Sequence, residues 1–141
     1  MFLNKPIIIA HRGASGNAAE NTIPAFLEAW NQNADGIEGD FHLTKDRIPV
    51  CIHDEDTERM TGMKKIVNDC TLSELKSLKI VHSFLKESFA TIPTLEEILK
   101  IIPEDKLFYL ELKGDEQMVQ AIIPTLRESR LKINQLVVLS F

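Results

Sequence analysis

The chain has 141 residues, 44% of them hydrophobic and 26% charged, and a formal net charge of −5. That length suits one domain and that apolar share can build a core; Lys and Arg spread along an acidic chain exclude a nucleic-acid binder driven by phosphate neutralisation. Cys51 and Cys70 form no CxxC pair and are too few for a disulfide framework, so both are read as reduced thiols of a cytoplasmic protein. The segment from Met1 to Ala10 falls well short of the ~18 apolar residues of a membrane span. It runs directly into His11 and Arg12, so it is read as a strand, with no signal peptide and no membrane span.

Pro6 to Ala10 (PIIIA) has the continuous apolar character of a buried parallel strand. After a Gly-containing loop, a helix is expected from Asn21 or Thr22, with Pro24 in its first turn and Ile23, Phe26, Leu27 and Trp30 on one face. Gly36 to Leu43 alternates as a second strand, with Ile37, Phe41 and Leu43 on one face and Glu38, Asp40 and His42 on the other. Ile48 to His53 is expected to return beside it as a hairpin. An irregular insert, about residues 54–93, follows. Thr71 to Glu74 and Thr94 to Glu97 are capping boxes that open two helices. Lys106 to Leu112 is a strand, Asp115 to Arg130 a helix with a kink expected at Pro124, and Leu136 to Ser140 a last strand.

Strands alternating with helices imply parallel pairing, in either an open doubly wound sheet or a (β/α)8 TIM-type barrel. A full barrel takes ~250 residues, so about the first four β/α units are expected, within one unit spanning residues 1–141.

Polar candidates gather at strand ends, where α/β proteins bind ligands. Glu38 and Asp40 share one strand face. Two buried carboxylates side by side repel and lose hydration, and a divalent cation relieves both costs; oxygen ligands favour Mg2+ or Ca2+. Two solvated charges at a strand end are the alternative. Glu111 is either a third ligand or an ion-pair partner of Lys113. His11 and His53 are candidates for general acid and base work, or else hydrogen-bonded structural residues. Arg12 offers a planar fork suited to phosphate. His42 and His82 lack such surroundings and are read as surface or structural residues.

Taken together, HRGASGNAAENTIPAF, GIEGDFHLTKDRIPVCIHD and LELK resemble the N-terminal half of the glycerophosphodiester phosphodiesterases, a likeness running from about Ile7 to Ser140. The resemblance implies a (β/α)8 barrel that hydrolyses small-molecule glycerophosphodiesters to sn-glycerol 3-phosphate and an alcohol. It implies His11 and His53 as the acid/base pair; which is acid and which base the sequence leaves open, with His11 as base and His53 as acid the working assignment. It implies Glu38, Asp40 and Glu111 as ligands of one divalent cation, and Arg12 and Lys113 as phosphate-facing residues. Glu20 and Asn21 are expected to hold the first loop and helix. Ala19 stands where the family usually has Pro, Gly39 where it has a larger apolar residue, and Arg47 where it has Gly.

Two alternatives accompany this reading. One is a related phosphodiesterase acting on sphingolipid or lysophospholipid head groups, for which the chain shows no lipid-binding surface. The other is a truncated or non-catalytic half-barrel that needs a partner or forms a homo-oligomer through the open half, because a last strand without its neighbour invites association.

Overall fold

The computed structural model describes residues 5–81 and 90–140; His82 lies outside them. The elements are β1 (Ile9–His11), α1 (Ile23–Asn31), β2 (Gly36–Leu43), β3 (Pro49–Cys51), α2 (Glu58–Thr61), α3 (Leu72–Lys76), α4 (Leu95–Leu99), β4 (Leu107–Leu112), α5 (Glu116–Glu128) and β5 (Leu136–Leu139), with short 3-10 turns at Val67–Asp69 and Ile133–Gln135. Strands β1, β2, β4 and β5 pair in parallel in their chain order, and β3 folds back antiparallel on the end of β2.

Two features separate the expected architectures. A doubly wound sheet reverses its strand order at a switch point, whereas these parallel strands advance in one direction. The main core also places α1, α4 and α5 on a single face: Phe26, Ala29, Leu95, Ile98, Leu99, Met118 and Ile122 pack with Ile37, Phe41, Phe108, Leu110 and Leu112. The other face, carrying Glu38, Asp40, Tyr109 and Glu111, has no helix against it in that core. This is an open, incomplete α/β barrel.

Local chemistry accounts for most boundaries. Thr22 caps α1 by accepting from the Ala25 N–H, with Pro24 in the first turn. Both capping boxes form, with Thr71 and Glu74 opening α3 and Thr94 and Glu97 opening α4. The β2–β3 hairpin pairs Phe41 with Cys51 and Leu43 with Pro49.

Several expectations change. β1 is shorter than its apolar run and lies at an edge, pairing only with β2 among the described residues, so Ile7 and Ile8 are 64% and 57% exposed instead of buried. Leu27 is exposed, and α1 buries Ala25, Phe26 and Ala29, a narrower stripe than the spacing implied. α5 is continuous through Pro124. The insert is more ordered than expected: Met60, Val67, Cys70, Leu75, Leu78, Ile80 and Ile92 form a second core with Val50, Ile52 and Ala19.

Phe41 and Phe108 are fully buried and meet edge to face at 6.1 Å between β2 and β4. Phe108→Ala is expected to cost about 3–5 kcal/mol of stability, the range for emptying a buried phenyl site. Urea unfolding measures it; a loss below about 1 kcal/mol would mean that the core collapses into the gap.

Candidate metal centre and phosphate-facing site

Strand register builds the site. β1 beside β2 makes His11 and Glu38 direct neighbours, and β4 beside β2 does the same for Asp40 and Glu111. Since Glu38 and Asp40 share a face, three carboxylates meet on the side of the sheet away from the helices. Their oxygens lie within 4.8 Å of one another. The convergence of Glu38, Asp40 and Glu111 expected from the sequence is therefore present.

Hydrogen bonds hold these groups. Glu38 Oε2 accepts from the Arg12 backbone N–H at 3.0 Å. Asp40 Oδ2 accepts from Asn21 Nδ2 at 2.9 Å, while Asn21 Oδ1 accepts from the Asp40 N–H and from the Cys51 thiol. Asn21 is buried and sits in the left-handed region at φ 55°, which Asn tolerates better than most residues. Asn21 thus does more than secure the first loop; it fixes the carboxylate plane of Asp40.

Two cations face the three acids. Arg12 Nε lies 3.3 Å from Asp40 Oδ2 and Arg12 Nη1 lies 3.1 Å from Glu20 Oε1. Lys113 Nζ lies 3.3 Å from Asp40 Oδ1 and bonds Glu111 directly. The ion-pair alternative for Glu111 and its place in the carboxylate cluster hold together.

The histidines divide. His11, with a side chain 70% exposed, stands 3.8 Å from Glu38 Oε2. His53 bonds Asp54 Oδ1 through Nδ1 at 2.8 Å and contributes nothing to the carboxylate cluster. Of the two, His11 reaches the carboxylate cluster, at Glu38, whereas the ion pair of His53 is with Asp54. His42 is structural, its Nε2 donating to the His53 carbonyl at 3.0 Å.

A divalent cation fits this donor set. With all three ionised, the carboxylates carry one negative charge more than Arg12 and Lys113 balance. Glu38 Oε1 and Asp40 Oδ1 are buried and have no hydrogen-bond partner, although Lys113 stands near the latter. Burial, followed by the neighbouring Asp40 charge, pushes the Glu38 carboxyl up to about 7. All the available donors are oxygens, the chemistry of Mg2+ or Ca2+ sites.

Sequence reasoning missed Arg59. It donates to Asp54 Oδ2 at 2.7 Å and to Glu20 Oε1 at 2.8 Å. Its spacing of five from Asp54, at the start of a short helix, was the only available signal.

The model of the glycerophosphoryl diester phosphodiesterase family matches residues 11–138. The chain belongs to this family. Among glycerophosphodiester phosphodiesterases, the Bacillus altitudinis protein is 47% identical over 107 residues, covering 75% of this chain and 44% of that protein. The Caldanaerobacter subterraneus protein is 43% identical over 129 residues, covering 84% and 53%. Of the solved structures, the Thermotoga maritima glycerophosphodiester phosphodiesterase superposes with a TM-score of 0.81 at 32% identity, covering 98% of this chain and 55% of that one. An Oleispira antarctica phosphodiesterase in complex with the product sn-glycerol-3-phosphate gives 0.84 at 31% identity, covering 96% and 57%. The chain spans about half the length of these relatives. No helix among the described residues is long and apolar enough to cross a membrane.

The family's usual Gly after the TKD turn has a physical reason here. Arg47 takes φ 63°, a left-handed conformation that glycine adopts without strain, and its Nη1 bonds Gln117 Oε1 at 3.0 Å.

Glu38 makes stability depend on pH. Its folded-state value, about 7, lies above the ordinary 4.5. The folded chain therefore holds that proton more tightly than the unfolded chain does, and loses Glu38's contribution as pH rises from the ordinary value through 7. In chelator, that loss is expected to be on the order of 3 kcal/mol. Glu38→Gln should flatten this part of the profile, read by urea unfolding across the range; equal slopes in both proteins would refute it.

Proposed function

We propose that this chain carries the cation- and phosphate-holding half of a site that hydrolyses glycerophosphodiesters to sn-glycerol 3-phosphate and an alcohol. We further propose that residues 1–141 by themselves are an incomplete barrel whose turnover needs an associated surface, from further chain, a partner or a second copy. The observation that carries the first part is the gathering of Glu38, Asp40 and Glu111 on one sheet face with Arg12 and Lys113 around them. Relatives whose names state this activity, 43–47% identical, support it. The second part is supported by the sheet edges: β1 and β5 each pair on one side only among the described residues, and Ile7, Ile8 and Val138 are exposed beside them. Cys51 and Cys70 are free, in keeping with the cytoplasmic reading.

The residues act as follows. A bound Mg2+ or Ca2+, held by Glu38, Asp40 and Glu111, would supply Lewis-acid polarisation of the phosphoryl group. Arg12 and Lys113 stabilise the charge that builds on the phosphoryl oxygens in the transition state. Their positive charges stand beside the acids before substrate arrives, so little reorganisation is required. His11, at the open rim next to Glu38, takes a proton from the attacking hydroxyl or water. His53 acts as the imidazolium, its Nδ1–H held on Asp54 and a second proton on Nε2, and gives that second proton to the departing alkoxide.

His11→Ala and His53→Ala should each lower turnover by about a hundred- to ten-thousand-fold, the usual scale for losing an acid or base. Calorimetric Mg2+ or Ca2+ affinity should change little in either variant. Near-normal turnover in either one would remove its assigned role.

Light scattering on the purified 141-residue chain, with a parallel glycerophosphocholine assay in Mg2+ and in Ca2+, tests the need for association. Self-association, or turnover well below that of a full-length relative, is expected. A monomer as active as that relative would show that the half-site suffices.

A further inference from the structure

The structure assigns Arg59 as a positioning residue that sets His53 and Arg12 together, one guanidinium holding Asp54 against the His53 ring and Glu20 against the Arg12 side chain. The inference rests on the roles given above to His53 and Arg12.

The contacts form an unbroken path. Asp54 divides its two oxygens, Oδ1 accepting from His53 Nδ1 at 2.8 Å and Oδ2 from Arg59 Nε at 2.7 Å. Glu20 gives one oxygen to two guanidiniums, Oε1 lying 2.8 Å from Arg59 Nη2 and 3.1 Å from Arg12 Nη1. Arg12 continues to Asp40 through Nε at 3.3 Å. Arg59 therefore links the loop after β3 to the loop before α1, which lie 39 positions apart along the Glu20–Arg59 contact.

The chemistry at each end follows. An ionised carboxylate only accepts, so the His53 Nδ1 carries the hydrogen and Nε2 is left for the reaction. Asp54 can impose that arrangement only while its carboxylate plane is held, and Arg59 holds it from the opposite edge. The Arg59 bond also keeps the Asp54 carboxyl at about 2, so it is charged throughout the neutral range. At the other end, Glu20 stays ionised because Arg59 and Arg12 together outweigh its burial, and it anchors the terminal nitrogen of Arg12. A lysine has one ammonium in place of a planar fork and cannot span both carboxylates.

Arg59 is not what secures α2. Met60 is buried in the second core, Thr57 Oγ1 donates to the Met63 carbonyl, and Gly62 closes the helix in the left-handed region at φ 73°. The Arg59 side chain is 46% exposed, so solvent screens its pairs with Glu20 and Asp54 and limits what they add to stability. Removing it should leave the fold in place while freeing the two groups it orients.

The test reads histidine ring nitrogens by 15N NMR in the full chain, comparing wild type, Arg59→Ala and Arg59→Lys. At a pH where the ring is neutral, wild-type His53 should be the Nδ1–H tautomer, the form that becomes the donating imidazolium by taking a proton at Nε2. Both variants should redistribute it between the two tautomers, and added guanidinium should restore it in Arg59→Ala. The His42 ring, bonded to the His53 backbone carbonyl, reports that the fold persists. Should Arg59→Ala fail to fold, Arg59→Lys carries the same readout. A His53 that stays Nδ1–H in either folded variant, or shows no tautomer preference in wild type, overturns the assignment. Unchanged turnover in His53→Ala would instead defeat the catalytic role of His53 and leave the tautomer result standing.

Discussion

Everything at this site follows from setting three carboxylates side by side where water cannot reach them all. Asp40 and Glu111 are forced together by the parallel register of β2 and β4, and Glu38 joins them through strand alternation. Such a cluster is costly unless positive charge surrounds it. The rest of the local structure answers that demand: Arg12 from the first loop, Lys113 from the end of β4, and the Arg12 backbone N–H on Glu38. What these leave over is the charge that a cation would balance.

The same demand gives the one-sided sheet a purpose. Helices α1, α4 and α5 bury the face of Ile37, Phe41, Phe108 and Leu110, adding apolar contacts to the backbone ladder that pairs the strands. The opposite face is left for charged groups. Stability and chemistry are thus carried by alternate residues of the same strands. A slip of one residue in β4 would move Glu111 to the helix side and put an apolar side chain among the acids.

How much of this was legible depended on the range of the interaction. β2 is legible to its ends, Gly36 and Leu43, because alternation is local, and both capping boxes are legible because their partners lie three residues apart. The strand-end positions of Glu38, Asp40 and Glu111 were visible, and family motifs narrowed their roles. Ile7 and Ile8 were misread because an apolar run does not say whether a second strand lies beside it. Arg59 was invisible for a related reason. It stands next to Met60, which packs in a second core assembled from β3 and the insert, and nothing periodic in residues 54–69 announces such a core.

Gly39 lies between two of the acids and faces the helices. A Cβ there would come within 3.0 Å of Cys51 Sγ and 3.3 Å of Phe26 Cζ. The space that a larger side chain would fill is taken by the thiol and the ring, and that thiol also donates to Asn21, the residue that fixes Asp40. Positions 26, 39 and 51 therefore form a volume-sharing set, and change at one is constrained by the others. In an evolving lineage a methyl gained at 39 would require the thiol and the ring to give by a few tenths of an ångström, or be eased by a smaller residue at 51 or 26. Such an exchange, made entirely in the apolar layer, would retune the hydrogen bonding of a metal-facing carboxylate without touching a charged residue.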